Sequence, residues 1–365
     1  ARDAELRQLI AKHDLTVAGP NCAGIIHLPD AKRFGATFLR DLPPGGGIAL
    51  LSQSGAIAEE AIAAANRTPL ALSTVVSVGN ATQLGVEDYL EYLGSDPRCT
   101  AVLLYIESLE DPDRFRRAAR KVAAEKPVVM LMGGATRPGA RAASAHTGAI
   151  ANTDQAISAF AAECCVIRVR SLRGLMLAAK GFGFFPQGMG KRVLILSNSG
   201  GPGVIASDCA DRAGLDLVDL PPAMASELRA DFPPEASVAN PLDLLADARE
   251  DRFGFTLESA IRHGGGHFDA ILGMHVVPFM VDPAPVIARL ASLVPKVPVP
   301  FMHSMMGTLP GSAEWFTAME KAGVPMFRDV EEMAECAGLL AQYPTLKTAA
   351  AEPLPNTPPA LRGRR

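Results

Sequence analysis

The sequence predicts an α/β protein with two doubly wound domains, each a parallel sheet covered by helices on both faces. Three observations carry this expectation. A short signature occurs twice, as Leu51-Ser52-Gln53-Ser54-Gly55 and as Leu196-Ser197-Asn198-Ser199-Gly200. Each copy follows an apolar run, at 48–51 and 193–196, and precedes small and apolar residues suited to a buried helix, at 56–65 and 204–213. The order is therefore strand, glycine-rich turn, helix, twice over. Further apolar runs follow in both copies, at 73–78, 100–106 and 127–132, then at 268–277 and 297–302. Continuous Val, Ile and Leu runs are what strands buried on both faces require. Helical patterns at 86–93 and 113–124 separate strands in the first copy.

The chain of 365 residues is long enough for two or three domains. With 48% apolar and 20% charged residues it has the composition of a folded globular protein and lies outside the regime of disorder. Two flavodoxin-like domains are expected at 44–186 and 187–345, with ligands at the carboxyl ends of the strands. Residues 6–15 read as the end of a preceding α/β domain. The Gly, Pro and Gln cluster at 181–191 marks the junction, and 346–365 reads as a proline-rich linker or tail.

Thirty-five basic and 39 acidic side chains give a net charge of −4, so no global field draws the chain to nucleic acid or to an anionic membrane. The most apolar stretch, 270–281, is too short to span a bilayer and is interrupted by His275 and Pro278. Residues 1–14 are mixed in charge and hold no apolar core followed by a small-residue cleavage site, so secretion is not expected. Six cysteines are scattered, and the adjacent Cys164 and Cys165 are poorly placed for an ordinary disulfide. A reducing, cytoplasmic setting is the expectation.

The turn Ser52, Gln53, Ser54, Gly55 aims free backbone N–H groups and a helix dipole at one point, which suits an anion. Its second copy runs through Ser199, Gly200, Gly201, Pro202 and Gly203, where missing side chains permit close backbone approach. A plain turn with serine as N-cap is the alternative for either copy. The segment 133–150 is expected to be a functional loop carrying Arg137, Arg141, Ser144 and His146-Thr147-Gly148. An imidazole there is a competent nucleophile toward phosphorus or acyl carbon. Glu107, just past the strand at 100–106, could orient it, and the second copy has Val276 at that point. The alternative is an ordinary surface histidine. His263, His267, His275 and His303 form no recognised ligand spacing, so no metal site is expected.

These motifs, in this order, resemble the NDP-forming acyl-CoA synthetases, which include ADP-forming acetyl-CoA synthetase and, more distantly, succinyl-CoA synthetase. Gly19-Pro20-Asn21-Cys22-Ala23-Gly24 is similar to the motif closing the family's Rossmann-like CoA-binding domain, which implies that residues 1–43 are the end of that domain and that Asn21, Cys22 and Ala23 contact CoA. The two glycine-rich turns resemble the family's paired phosphate-binding helix starts. Asn240-Pro241-Leu242-Asp243 resembles its Asn-Pro-x-Asp segment. His146-Thr147-Gly148-Ala149 resembles the loop whose histidine is transiently phosphorylated, with Glu107 in the place of its partner carboxylate. Two positions depart from many relatives: Ala145 precedes His146, and Asn152 stands where glycine is frequent. The resemblance implies reversible conversion of an acid, CoA and a nucleoside triphosphate into acyl-CoA, the diphosphate and phosphate, through acyl phosphate and phosphohistidine. It implies an ATP-grasp domain or β subunit holding ATP or ADP with Mg²⁺, a dimer or heterotetramer, and a polypeptide that is a fragment or one subunit of the enzyme.

Two rival readings stand beside this one. The region could be a non-catalytic regulatory or scaffold part of a protein acyltransferase, although such a part has no need of His146. Flavodoxin-like folds also bind FMN through serine-rich turns, but only 5% of residues are aromatic and available to sandwich the ring.

Overall fold

Two sheets share one layer of helices, and this arrangement follows from how each strand divides its side chains. The computed structural model describes residues 2–29, 33–68, 70–147, 153–277, 281–307 and 311–353. The first half contains α1 (Arg2–His13), β1 (Gly24–His27), β2 (Phe34–Thr37), β3 (Ile48–Ser52), α2 (Gly55–Arg67), β4 (Leu72–Ser77), α3 (Val86–Ser95) and β5 (Ala101–Ile106). It continues through α4 (Pro112–Ala123), β6 (Val128–Met132), α5 (Arg137–Thr147), α6 (Asp154–Glu163), β7 (Ile167–Val169) and α7 (Leu172–Phe184). Its seven strands lie in the order β2-β1-β4-β3-β5-β6-β7. The five from β4 to β7 run parallel, with Leu51 opposite Val76 and Leu104, while β1 and β2 add an antiparallel edge to β4.

The second half contains β8 (Arg192–Ser197), α8 (Gly200–Arg212), β9 (Asp216–Leu217), α9 (Pro222–Asp231), β10 (Leu242–Asp243), α10 (Glu250–His263), β11 (Ala270–Val276) and α11 (Pro283–Leu293). A 3₁₀ turn, β12 (Phe301–Met306), α12 (Ser312–Lys321), β13 (Met326–Phe327) and the 22-residue α13 (Val330–Ala351) complete it. Its main path is β10-β8-β11-β12-β13, all parallel, with β9 also paired to β8.

Alternation along each strand builds three cores. Leu50, Val75, Leu103 and Val129 of the first sheet and Ile195, Leu272, Met274 and Met302 of the second point into one central cluster, filled by α2, α7, α8 and α13. Leu51, Val76, Leu104 and Met130 point outward against α3 and α4. Leu194, Ile271 and Phe301 do the same against α10 and α11. The central helices approach closely because two positions lack side chains. A Cβ on Gly181 would lie 2.7 Å from Cys336 Sγ, and one on Gly338 would lie 2.7 Å from the Ala213 carbonyl oxygen. Lys180 of α7 ties the halves by an ion pair with Glu320 at 3.1 Å, and its ammonium sits 4.9 Å from the Phe327 ring centre.

Three local expectations change. The strand placed at 297–302 begins at Phe301, because Pro298 and Pro300 have no N–H to give a ladder. The segment 133–150 is not a loop throughout: α5 occupies Arg137–Thr147, and His146 is the penultimate residue of that helix. The end of the chain stays helical to Ala351, beyond the point where a tail was expected, with Pro344 inside the helix and the Arg120 guanidinium donating to the carbonyls of Ala349 and Glu352. Residues 354–365 lie outside the described residues. The six cysteines are free thiols. Among the described residues no helix is long and apolar enough to cross a membrane.

His275 and His303 are fully buried on neighbouring strands, their ring centres 6.5 Å apart, with no hydrogen-bond partner for any of the four ring nitrogens. Burial pushes His275 down to about 4; burial and then the charge of His275 push His303 down to about 3. The folded protein therefore resists the protons that the unfolded chain accepts below pH 6.5. Stability is complete above that pH and falls as pH decreases toward 4. Urea midpoints measured across this range are expected to fall, and His275→Leu to flatten the fall by about 3 kcal/mol.

Candidate active site

The two anion turns are built alike. Ser52 ends β3, and its hydroxyl donates to the Ser54 carbonyl at 2.7 Å and accepts from the Ser54 amide at 3.2 Å. Ser197 ends β8 and repeats this with Ser199, at 2.8 and 3.0 Å. The turns differ at the cap. Ser54 Oγ accepts from the Ile57 amide at 3.4 Å, whereas the Ser199 side chain makes no cap bond. The start of α8 is thus the more open: Gly200 and Gly201 are exposed, and Pro202 has no N–H.

The amide residue inside each turn joins it to the next strand. Gln53 Oε1 accepts from the amides of Glu107 and Ser108 at 2.5 and 3.0 Å, and Nε2 donates to the Ser108 carbonyl at 2.8 Å. Asn198 holds Val276 in the same way, by both its N–H and its C=O at 2.8 Å. The predicted equivalence of Glu107 and Val276 is therefore visible as a shared hydrogen-bond pattern.

At the carboxyl edge of the first sheet these parts surround a cleft of about 540 Å³. Asn21, Gln53 and Glu107 line it together, with Asn80, Gln83, Glu87, Arg7 and Arg114 among the remaining walls. The segment before β1 is strapped across the mouth. Asn21, in left-handed backbone at φ 54, donates to Asn80 Oδ1 at 3.1 Å. The carbonyls of Gly19 and Pro20 accept from the amides of Thr82 and Asn80 at 3.0 and 2.9 Å. Gln83 bonds the Val17 amide and the Leu15 carbonyl. Ala23 is buried, its amide donating to Ser77 Oγ at 2.8 Å, and Cys22 Sγ points at the Ala18 carbonyl. Of the three predicted CoA contacts, Asn21 alone lines the cleft.

Glu107 follows β5 and has Tyr105 beside it. Burial, then the charge of Glu107 and a hydrogen bond to it, raises the Tyr105 hydroxyl above the usual phenol value. Gly133, which begins the connection from β6 to α5, packs there: a Cβ on it would lie 3.3 Å from the Tyr105 oxygen. The backbone of His146 is in α5, while its side chain and residues 148–152 lie outside what the structure describes. The second turn, Ser199 to Gly203, lines no part of this cleft. Its neighbours are Asp243 and Pro241: a Cβ on Gly200 would come within 3.1 Å of Asp243 Oδ2. Asn240 fixes that segment by accepting from the Ile195 amide and donating to the carbonyls of Val193 and Val218.

Sequence reasoning missed Asn80, Gln83, Glu87, Arg7 and Arg114 as cleft residues, and Tyr105 as the neighbour of Glu107. Asn80 follows the carboxyl end of the strand at 72–77, so the rule that singled out Glu107 would have found it. Glu87, Arg7 and Arg114 carry no such signal, because each reaches the cleft from a helix.

Two family models match the chain: a succinyl-CoA ligase-like flavodoxin domain over 45–182 and a ligase-CoA domain over 193–300. Subunit α of acetate–CoA ligase [ADP-forming] II from Pyrococcus furiosus is 31% identical over 345 residues, 93% of this chain and 74% of that one. The chain belongs to the ADP-forming acyl-CoA synthetase family. Within that family it is α-subunit-like. Acetate–CoA ligase [ADP-forming] I from Archaeoglobus fulgidus is 37% identical over 256 residues, covering 70% of this chain but 37% of that longer one. Among solved structures, a dinucleotide-forming acetyl-coenzyme A synthetase 1 from Ca. Korarchaeum cryptofilum, in complex with phosphate and ADP, is 26% identical with a TM-score of 0.88, over 95% of this chain and 75% of that one.

The amide clamps make a direct prediction. Gln53→Ala strips partners from the Glu107 and Ser108 amides and from the Ser108 carbonyl, and Asn198→Ala does the same to Val276. Each is expected to lower stability by about 1–3 kcal/mol in denaturant titrations. Gln53→Glu, which keeps the acceptor but loses the donor, is expected to lose less.

Proposed function

We propose that this chain is the α-type part of an acid-thiol ligase. The enzyme would convert an acid, CoA and a nucleoside triphosphate reversibly into acyl-CoA, the diphosphate and phosphate, with His146 as phosphoryl carrier. The observation that carries the reading is the cleft in which the Gln53 turn, Asn21 and Glu107 meet at the carboxyl edge of the first sheet. Membership of the family supplies the reaction class.

In the synthetic direction a carboxylate oxygen of the acid attacks the phosphorus of phospho-His146. The P–N bond breaks, the imidazole leaves neutral and acyl phosphate forms. The CoA thiolate then attacks the acyl carbon and phosphate departs. Glu107 accepts a hydrogen bond from the ring nitrogen that does not carry phosphate, holding the tautomer, and Tyr105 steadies that carboxylate. The start of α2 stabilises the charge on the transferring group by about 0.3–2 kcal/mol according to burial, and the start of α8, outside the cleft, offers a second anion site. Asn21 borders the CoA thiol, whereas Cys22 and Ala23, expected beside it, lie outside the cleft lining. Nucleotide and Mg²⁺ are assigned to an ATP-grasp partner, a reading supported by relatives that are α subunits and by longer single-chain relatives. Residues 44–186 and 187–345 are assigned to the two ligase domains and 1–43 to the end of a CoA-binding domain, except that the strands Gly24–His27 and Phe34–Thr37 pair into the first ligase sheet.

The test is labelling with γ-labelled ATP and Mg²⁺ of this chain together with its ATP-grasp partner. An acid-labile, base-stable label is expected, absent in His146→Ala and reduced on the order of tenfold or more in Glu107→Gln. No label with the partner bound and folded would overturn the ligase reading in favour of a regulatory one.

A further inference from the structure

The cleft beside Glu107 contains a second carboxyl that the proposed reaction does not use. Glu87 stands in the first turn of α3, is 7% exposed and lines the same lumen. No other side chain among the described residues hydrogen-bonds or ion-pairs with it; its partner is its own backbone N–H. Gly85 provides the space, because the carboxyl folds back to where a Cβ at that position would stand. Burial raises Glu87 above the usual carboxylate range, partly offset by that backbone bond and by the charge of Arg114, while Asp88 and Asp111 add to the rise.

The cations of the cleft are committed elsewhere. Arg114 forks onto both oxygens of Asp88. Arg7 pairs with Glu110 at 3.5 Å. Gln53 and Gln83 spend their amides on backbone, and Asn21 donates to Asn80. What faces the lumen is therefore rich in acceptors, with a nearly dry carboxyl in its wall. A largely buried carboxyl bonded only to its own backbone N–H keeps acceptor capacity to spare, and a ligand that brings a donor fills it. The volume suits more than a two-carbon acid.

Resting on the ligase reading, we propose that this cleft takes the acyl chain of the substrate acid and that Glu87 selects acids bearing a hydrogen-bond donor on that chain, a hydroxyl or a protonated amine, over plain alkyl acids of equal length. A site built to bond such a group rejects the analogue lacking it, because a buried polar atom would then stand unpaired.

The test uses the complete enzyme, with its ATP-grasp partner, and two series of acids: propionate, 3-hydroxypropionate and β-alanine, then butyrate, 3-hydroxybutyrate and 4-aminobutyrate. Acyl-CoA formation and His146 labelling are both read. The expected result is a kcat/KM at least roughly tenfold higher for a donor-bearing acid than for its alkyl counterpart. Glu87→Leu should bring that ratio near unity, and Glu87→Gln, which folds with the same shape, should keep the hydroxyl preference and lose the amine preference. Labelled His146 with the alkyl acids preferred, or Glu87→Gln lowering kcat/KM for every acid by one factor, would overturn the selection and leave the ligase reading intact. No label and no acyl-CoA from any acid would overturn both.

Discussion

One apolar layer serves two sheets, and the positions of all the reactive groups depend on it. The central cluster takes side chains from β3, β4, β5 and β6 on one side and from β8, β11 and β12 on the other, with α7 and α13 between them. Neither sheet can turn against that layer without opening the contacts at Gly181 and Gly338, where helix meets helix without an intervening Cβ. Close-packed interiors resist continuous deformation. The two glycine-rich turns, at the ends of β3 and β8, are thus carried on a common rigid support.

Within each half, order at the turn comes from buried or half-buried polar side chains bonded to backbone. Ser52 and Ser197 close the turn on themselves, and Gln53 and Asn198 pin it to the adjacent strand. This arrangement spends the polar side chains of the motif on holding main chain, which leaves the N–H groups of the helix starts, other than that of Ile57, for a ligand. The halves diverge in what is pinned. Gln53 presents Glu107, an acid with Tyr105 behind it, whereas Asn198 presents Val276, an apolar residue backed by the buried imidazole of His275.

Much of this was legible in the residues. Continuous apolar runs gave the parallel strands, and the twofold Ser-x-Ser-Gly pattern gave the duplication, because both signals are local and periodic. The placement of Glu107 at a strand end was also readable, whereas Asn21 entered only through the family resemblance. What escaped depended on contacts distant in sequence. Tyr105 looked like one more strand residue until Gly133 and Glu107 were beside it. The strand at Phe301 was displaced because two prolines weigh against an apolar pattern. The helical path through His146 was hidden by the glycines and arginine at its start, which resemble a loop.

The antiparallel pair at 24–37 bears on how such chains can be divided and recombined. It is hydrogen-bonded to β4, its preceding carbonyls hold Asn80 and Thr82, and Ala23 is tied to Ser77, so it belongs to the architecture of the sheet that follows it. The homologous flavodoxin module nevertheless begins to match only at residue 45. A gene fusion or library junction set at that point would discard two strands, bare the edge of β4 and remove one wall of the cleft. The inheritable unit of this fold therefore reaches upstream of its most recognisable part, and a workable crossover must fall before Gly19.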